Sequence, residues 1–543
     1  GINYWRENRG FGIDDVYVIG PQSLLNVRYS YTRYQQATDP VSVGLDITSL
    51  GFSRGFADQI GGVDPRGLML PDINITNYPE LNSQNRSRSA NDIHALALAL
   101  TRIARGHTMQ LGGEYRAYRD TSANLGRSSG KLDFGTNWTR GPNDNSSSAP
   151  LGQGLASFLL GLPTGGYVDV NGSYAQQYQV SGWYFQDAWK LGPRLTLNLG
   201  MRWELEVPTT ERFNRSVRGF DVGAPSPIEP AARANYAQSP IPEIAPEDFR
   251  VLGGVTFAGG GGEPRTLWVA NRRNLAPRAA IAWQVTNRTV VRAGYGVFFD
   301  IARQGANQTG FSRQTSLVAS LDTGQTFVAS LENPFPDGFN RPVGAGLGLM
   351  TNAGQSISAI KPVLLDPYMQ RWQVGVQRRA GRQGLVEVAY VGSRGTHLRT
   401  TRQLNFVPRQ YLSTSPVRDN VTNSFLTANL TNPFYPLLPN TNLSAKTVQR
   451  QQLLNPFPQF IDIRATTNEG YSWYHSLQSR FDKRFGASYL LTASWTWSKF
   501  MEATGFLNET DPVPARSISD QDRPHRFVGS AIWELPFGRR RHW

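Results

Sequence analysis

The sequence predicts an all-β chain whose strands form an antiparallel sheet rolled into a barrel across a lipid bilayer. Three observations carry that prediction. First, apolar and polar residues alternate over unusually long segments. In residues 193–207, PRLTLNLGMRWELEV, Leu195, Leu197, Leu199, Met201, Trp203, Leu205 and Val207 alternate with Thr196, Asn198, Gly200, Arg202, Glu204 and Glu206. Period 2 means a strand with two different faces, and ordinary strands average only about 5–6 residues. Second, the segments come in pairs joined by short turns. Third, the long connections fall only between pairs, never within them.

The pairs are expected in this order. Residues 14–20 and 22–34 meet around GPQ, with Leu25, Val27, Tyr29 and Tyr31 set against Asn26, Arg28, Ser30 and Thr32. Residues 93–104 and 107–119 meet around RGH, with Met109, Leu111 and Tyr115 set against Gln110, Gly112, Glu114 and Arg116. The first member of that pair, HALALALTRIA, puts Leu on one face and Ala on the other. A strand is expected there, with a short helix as the alternative. Residues 176–190 and 193–207 meet at LGP, 277–285 and 288–300 at TN, 370–379 and 384–398 at AGRQG, and 471–483 and 487–499 at RFGA. A last single strand covers about 525–535, which makes thirteen in all. The connections at 35–92, 120–175, 208–276, 301–369, 399–470 and 500–524 are long.

Alternating short and long connections place all tight turns on one edge of the sheet and all long loops on the other. That is the layout of an outer-membrane barrel, with periplasmic turns and extracellular loops. A backbone immersed in lipid must pair every N–H and C=O, which only helices and closed barrels achieve. About 9–11 tilted residues cross the hydrocarbon, and these strands meet that length. Strands leaving a short turn run outward. Trp203, Phe299 and Trp497 then belong to the outer interface, and Trp189, Trp283, Tyr489 and Trp533 to the periplasmic one, where amphipathic rings favour the headgroups. Arg28, Arg116, Arg202, Glu204, Arg292 and Arg371 fall on the other face, toward an aqueous lumen. Their arginines suit anionic groups, or mutual pairing with acids such as Glu204 and Glu206. A soluble β-sandwich with a solvated polar face is the alternative architecture.

Composition narrows the chemistry. The chain of 543 residues carries a net charge of +14, and all its basic residues except six lysines are arginine, spread without a long basic run. Nucleic acid is therefore not an expected partner. There is no cysteine, which excludes disulfides, thiolate metal sites and cysteine catalysis. No apolar stretch is long enough for a transmembrane helix. The six histidines show no metal-ligand spacing, GGGG at 259–262 lacks the Lys-Ser/Thr of a phosphate-binding loop, and no GxSxG elbow is present. No enzyme, cofactor or metal is expected. GQGLASFLLGLPTG (152–165) reads as one or two helical turns in a long loop. Phe335, Phe339, Phe434 and Tyr435 read as loop aromatics, either packed by proline-rich turns or lining an outer vestibule.

Several segments carry a family resemblance. YFQDAWKLGPRLTLNLGMRWELEVPTTERFNR (184–215), NLAPRAAIAWQVTNRTVVRAGYGVFFD (274–300), MQRWQVGVQRRAGRQGLVEVAYVGSRGTHL (369–398), YHSLQSRFDKRFGASYLLTASWTWSK (474–499) and DRPHRFVGSAIWELPFGR (522–539), with LGFSRGF (50–56), resemble the barrel of TonB-dependent receptors of the Oar-like type found in acidobacterial genomes. The resemblance spans nearly the whole chain in the family's order. It implies an outer-membrane barrel of about 22 strands, filled by an N-terminal plug and driven by a TonB-type energy-coupling protein. Thirteen strands are a partial barrel on that standard. The plug, a regulatory-like domain before it and the C-terminal strands are absent from residues 1–543, and PFGRRRHW reads as a periplasmic turn midway round the wall. The function implied is energy-coupled passage of a bulky solute or polypeptide cargo, with outer-membrane lipid and the coupling protein as partners. Two alternatives stand beside it: a surface-anchored adhesive or structural barrel, and a soluble β-rich enzyme or carbohydrate-binding protein.

Overall fold

The computed structural model describes every residue except 83–85, 141–152, 301–304, 321–323, 362, 382, 440, 486–488 and 535–543. PFGRRRHW and the Gly-Ala half of the RFGA turn lie outside the described residues. Thirteen long strands form the wall: β1 (Ile2–Gly20), β2 (Ser23–Pro40), β3 (Ser87–Ala104), β4 (His107–Asn124), β5 (Tyr174–Gly192), β6 (Leu195–Glu211), β7 (Asn274–Thr286), β8 (Thr289–Phe299), β9 (Tyr368–Ala380), β10 (Gly384–Gln403), β11 (Ile463–Phe485), β12 (Tyr489–Gly505) and β13 (His525–Trp533). Each pairs antiparallel with its neighbours in chain order. Two four-residue strands, Ile357–Ile360 against β11 and Ala515–Ile518 against β12, complete a fifteen-stranded sheet. HALALALTRIA is strand, within β3.

The thirteen strands are those the alternation marks, but most run further toward the loops. β1 begins at Ile2 rather than at residue 14, and pairs in register with β2 from Ile2↔Pro40 to Val18↔Leu24. The physical reason is length. Strands of 17–19 residues reach about 55–65 Å at ~3.3 Å per residue, well beyond a hydrocarbon core of about 30 Å. Past the apolar band both faces meet water, so the period-2 signal stops while the hydrogen-bonded ladder continues.

The turns are as tight as the sequence requires. β3 and β4 are joined by Arg105 (φ 48°) and Gly106 (φ 84°), two residues with positive φ, as hairpin turns that match strand twist demand. Among the described residues β1 pairs only with β2, and β13 only with β12. The wall is therefore a continuous sheet with two free edges and is not closed into a ring.

At the loop edge the long connections build two large hydrophobic cores and a small one of Ala258, Leu267 and Trp268. One gathers Ile47, Phe56, Ile60, Leu132, Phe134 and Phe335 around a four-stranded sheet of Asp72–Ile75, Lys131–Phe134, Gly165–Val170 and Arg313–Ser316. Helix Arg54–Val63 buries Phe56, Ala57 and Ile60 there, with Ser53 capping it by accepting from the Phe56 N–H. The other gathers Val217, Tyr236, Phe249, Phe434, Leu453 and Phe460, with the hairpin Val217–Pro225/Leu252–Phe257 and helix Glu229–Tyr236. The 152–165 motif does form a short helix, Gly154–Leu159. Phe335 and Phe434 are buried and Phe339 packs on the first core, whereas Tyr435 is 42% exposed. Packing, rather than a vestibule lining, accounts for the first three.

Candidate functional site

Residues paired across an antiparallel ladder share a face, so the registers assign every wall side chain to one side. Arg202 pairs with Tyr184 and Ala276, Tyr184 with Gly112, Gly112 with Ala99, and Ala99 with Asn26. Across β7, Arg278 pairs with Gly296, and Gly296 with Arg371. Stepping by two along each strand brings Arg28, Arg116, Arg202, Glu204, Arg292 and Arg371 onto one polar face. The same bookkeeping places Trp189, Trp203, Trp283, Phe299, Tyr489, Trp497 and Trp533 on the opposite face. By register, then, these six residues and those seven occupy opposite faces of the sheet.

The opposite face is apolar and uncovered. Leu96, Leu98, Leu100, Leu111, Phe185, Leu199, Met201, Val374 and Val376 all stand exposed on it. A contiguous apolar patch running over many strands exceeds what a water-facing surface carries and matches a lipid-facing one. Trp203 donates its indole N–H to the Arg272 carbonyl at 3.0 Å, near the loop edge. At the turn edge Trp189 stacks on His107 with centroids 5.0 Å apart. Among the acids on this face is Asp187, and His107 Nδ1 lies 2.6 Å from its Oδ2. The sequence holds no local mark of that pair, because its partners lie 80 positions apart.

The polar face divides electrostatically. On β4–β6 the charges are matched: Arg202 Nε donates to Glu204 at 2.6 Å, Arg202 Nη2 also bonds Glu114, and Arg116 Nη2 donates to Glu114 at 3.0 Å. On β1–β2, Arg28 Nε donates to Asp14 at 3.0 Å and Asn26 adds a bond at 2.8 Å. On β7–β9 the pattern changes. Arg292 donates to Gln377 at 3.1 Å, and among the described residues no carboxylate pairs with Arg278, Arg292 or Arg371. A cavity of about 760 Å³ opens over this region, bordered by Gln110, Gln186, Asn198, Arg278, Arg371 and Gln373, among others. Sequence reasoning missed Glu114, the shared acceptor of two arginines, and Arg278, although Arg278 obeys the same parity.

At the loop edge of β7, Asn274 and Asp366 are both buried and Asn274 Nδ2 donates to the Asp366 carboxylate. Burial pushes the Asp366 carboxyl above the ordinary carboxylate value, against the lowering effect of the Asn274 and Asn271 amides. Among the described residues no group of three or more His, Asp or Glu side chains is placed to hold a metal ion.

A family model described as "Outer membrane beta barrel domain" matches residues 3–543. No curated protein matches the sequence. Solved structures with a similar fold include the outer membrane transporter YddB from Escherichia coli, with 9% identity, TM-score 0.43 and coverage of 92% of this chain and 42% of that one. They include the siderophore receptor PiuA from Acinetobacter baumannii, with 10% identity, TM-score 0.42 and coverage of 97% and 52%. The pyoverdine outer membrane receptor FpvA from Pseudomonas aeruginosa, bound to pyoverdine, gives 9% identity, TM-score 0.42 and coverage of 98% and 48%. The chain spans about half the length of these structures.

Proposed function

The chain belongs to the outer membrane β-barrel domain family, and on that premise we propose that it is the wall of a receptor that passes a bulky solute across the outer membrane by energy coupling. The observation that carries the reading is the two-faced wall. Its apolar face suits lipid, its polar face holds matched charges beside a cavity of about 760 Å³, and its loop edge bears two packed cores suited to recognition outside the cell. The ordered segments that resemble the Oar-like type of TonB-dependent receptor support a coupling protein of the TonB type as partner. In this reading the protein binds and passes its cargo and is not an enzyme. Surface adhesion is a second reading, favoured by the packed loop cores, because a rigid cap is a scaffold for contact whether or not anything passes beneath it.

Two measurements test the proposal. Single cysteines at 198 and 199, labelled with a fluorophore in vesicles of brominated lipid, should show quenching at 199 and little at 198. Uptake of solutes by cells carrying the protein in their outer membrane should collapse when the proton gradient is discharged. Surface binding without uptake would favour adhesion and sink the transport reading.

A further inference from the structure

Arg278 on β7 and Arg371 on β9 flank a single glycine. Both pair in register with Gly296 of β8, so their Cα atoms lie about 10 Å apart, two strand spacings. All three belong to the polar face. Gly296 contributes no side chain between them, and a Cβ there would meet the Phe298 ring at 3.0 Å and Arg278 Cγ at 3.5 Å. The gap is therefore kept open by residue choice. Phe298 holds the Arg278 guanidinium 4.6 Å from its ring centroid, a cation–π contact that orients the cation.

Neither arginine has an acid to answer it among the described residues. The polar-face positions of β7, β8 and β9 hold Arg278, Arg292, Arg371 and Arg379 and no carboxylate. Glu204, on the neighbouring β6, lies about 13 Å along the strand from the level of Arg278 and is held by Arg202. Glu387 on β10 sits opposite Gln377, about 20 Å along from Arg371. Asp187 borders the same cavity, but by register its side chain is on the apolar face, where it meets His107. Gln110, Gln186, Asn198 and Gln373 around the cavity are neutral and can donate hydrogen bonds.

We infer that Arg278 and Arg371, with Gly296 as the floor between them, form a binding site for an oxyanion, a carboxylate or phosphate group of the solute that occupies the cavity. The planar guanidinium fork matches the oxygens of both groups, and a span of about 10 Å lets two such side chains close on one anion from opposite sides. Two arginines without an acid at the border of the cavity also raise the local concentration of anions in a cleft with low-dielectric walls. The inference rests on the proposed reading that the polar face borders water.

The test uses the full chain in detergent micelles and isothermal titration calorimetry with citrate and with pyrophosphate at low salt. Wild type should bind at least one probe, with affinity falling as salt rises. The Arg278→Gln/Arg371→Gln variant should lose at least tenfold and each single substitution should weaken binding, while Arg378→Gln, which removes one charge from the opposite face, should stay within twofold. Binding of citrate alone assigns carboxylate chemistry, and binding of pyrophosphate alone assigns phosphate. In the wild type, mapping of phenylglyoxal modification by mass spectrometry should show Arg278 and Arg371 protected by the bound probe and Arg378 not, which needs no variant to fold. Binding of neither probe, equal loss in Arg378→Gln, or no protection at Arg278 and Arg371 overturns the site. Failure here leaves the two-faced wall standing, whereas lipid quenching at position 198 would remove the wall reading itself.

Discussion

Asn198 and Leu199 are consecutive on β6 and face opposite sides of the wall. Asn198 pairs with Ala188 and Ala280 on the polar face, and Leu199, 50% exposed, pairs with Asp187 and Ala279 on the apolar one. A charge on the lipid face near mid-membrane costs about 2–4 kcal/mol, whereas a lumen position tolerates it. Leu199→Arg should therefore destabilise by that amount and Asn198→Arg by less than about 1 kcal/mol. Equilibrium refolding in urea into lipid vesicles measures both. Equal costs would show that the sheet does not separate lipid from water at this level.

Arg202 is the joint of the charge network on β4–β6. Its side chain is 18% exposed and serves both Glu114 and Glu204. Arg202→Met leaves two half-buried carboxylates facing each other with only Arg116 nearby, and should cost about 1–3 kcal/mol. Glu114→Gln should recover part of that loss in the double variant, giving a coupling energy of about 0.5–3 kcal/mol. Strict additivity of the two substitutions would mean that the network contributes nothing as a unit.

What was legible in the sequence follows from which forces act locally. Alternate residues of a strand point to opposite faces, so the shared face of Arg28, Arg116, Arg202, Arg292 and Arg371 could be read from parity alone. Their partners could not. Glu114 meets Arg202 across 88 positions of sequence, and only the register of β4 on β5 and β5 on β6 brings them together. The start of β1 was illegible for another reason. Residues 2–13 lack clean alternation and are held as strand by pairing with β2. The loop cores left no periodic trace either, because Ile47, Leu132 and Phe335 come from three separate connections.

Asp366 gives the loop edge a pH dependence of unusual sign. Its folded value is raised by burial above the unfolded one. The folded state therefore binds more protons between the two values, and stability falls as pH rises through that window. The penalty is absent below the unfolded value and grows as pH rises from there through the folded one. Asp366→Asn keeps an acceptor for the Asn274 amide without the charge. It should raise the unfolding midpoint at pH 7 and change it little near pH 3. A wild type more stable than the variant at pH 7 would show that the carboxylate is compensated by groups beyond Asn271 and Asn274.

Asp419 has the opposite sign. It is the N-cap of helix Asn420–Thr427 and accepts from the Thr422 hydroxyl at 2.7 Å, the Thr422 N–H at 3.1 Å, the Ser413 hydroxyl at 2.8 Å and the Val421 N–H at 3.0 Å. These bonds favour the charged form and lower the carboxyl from 3.8 to about 2. A depressed acid stabilises the folded state above its unfolded value, and that contribution is lost as pH falls toward 2. Asp419→Ala should remove the cap and speed amide exchange across 420–427 several-fold at pH 6, once intrinsic rates are corrected. Asp419→Asn caps without titrating, so it should protect the helix at pH 6 and lose no protection on going to pH 2, where the wild type does. If the wild-type helix keeps the same protection at both pH values, the four bonds hold the carboxylic acid as well as the carboxylate, and the capping charge contributes nothing to the loop.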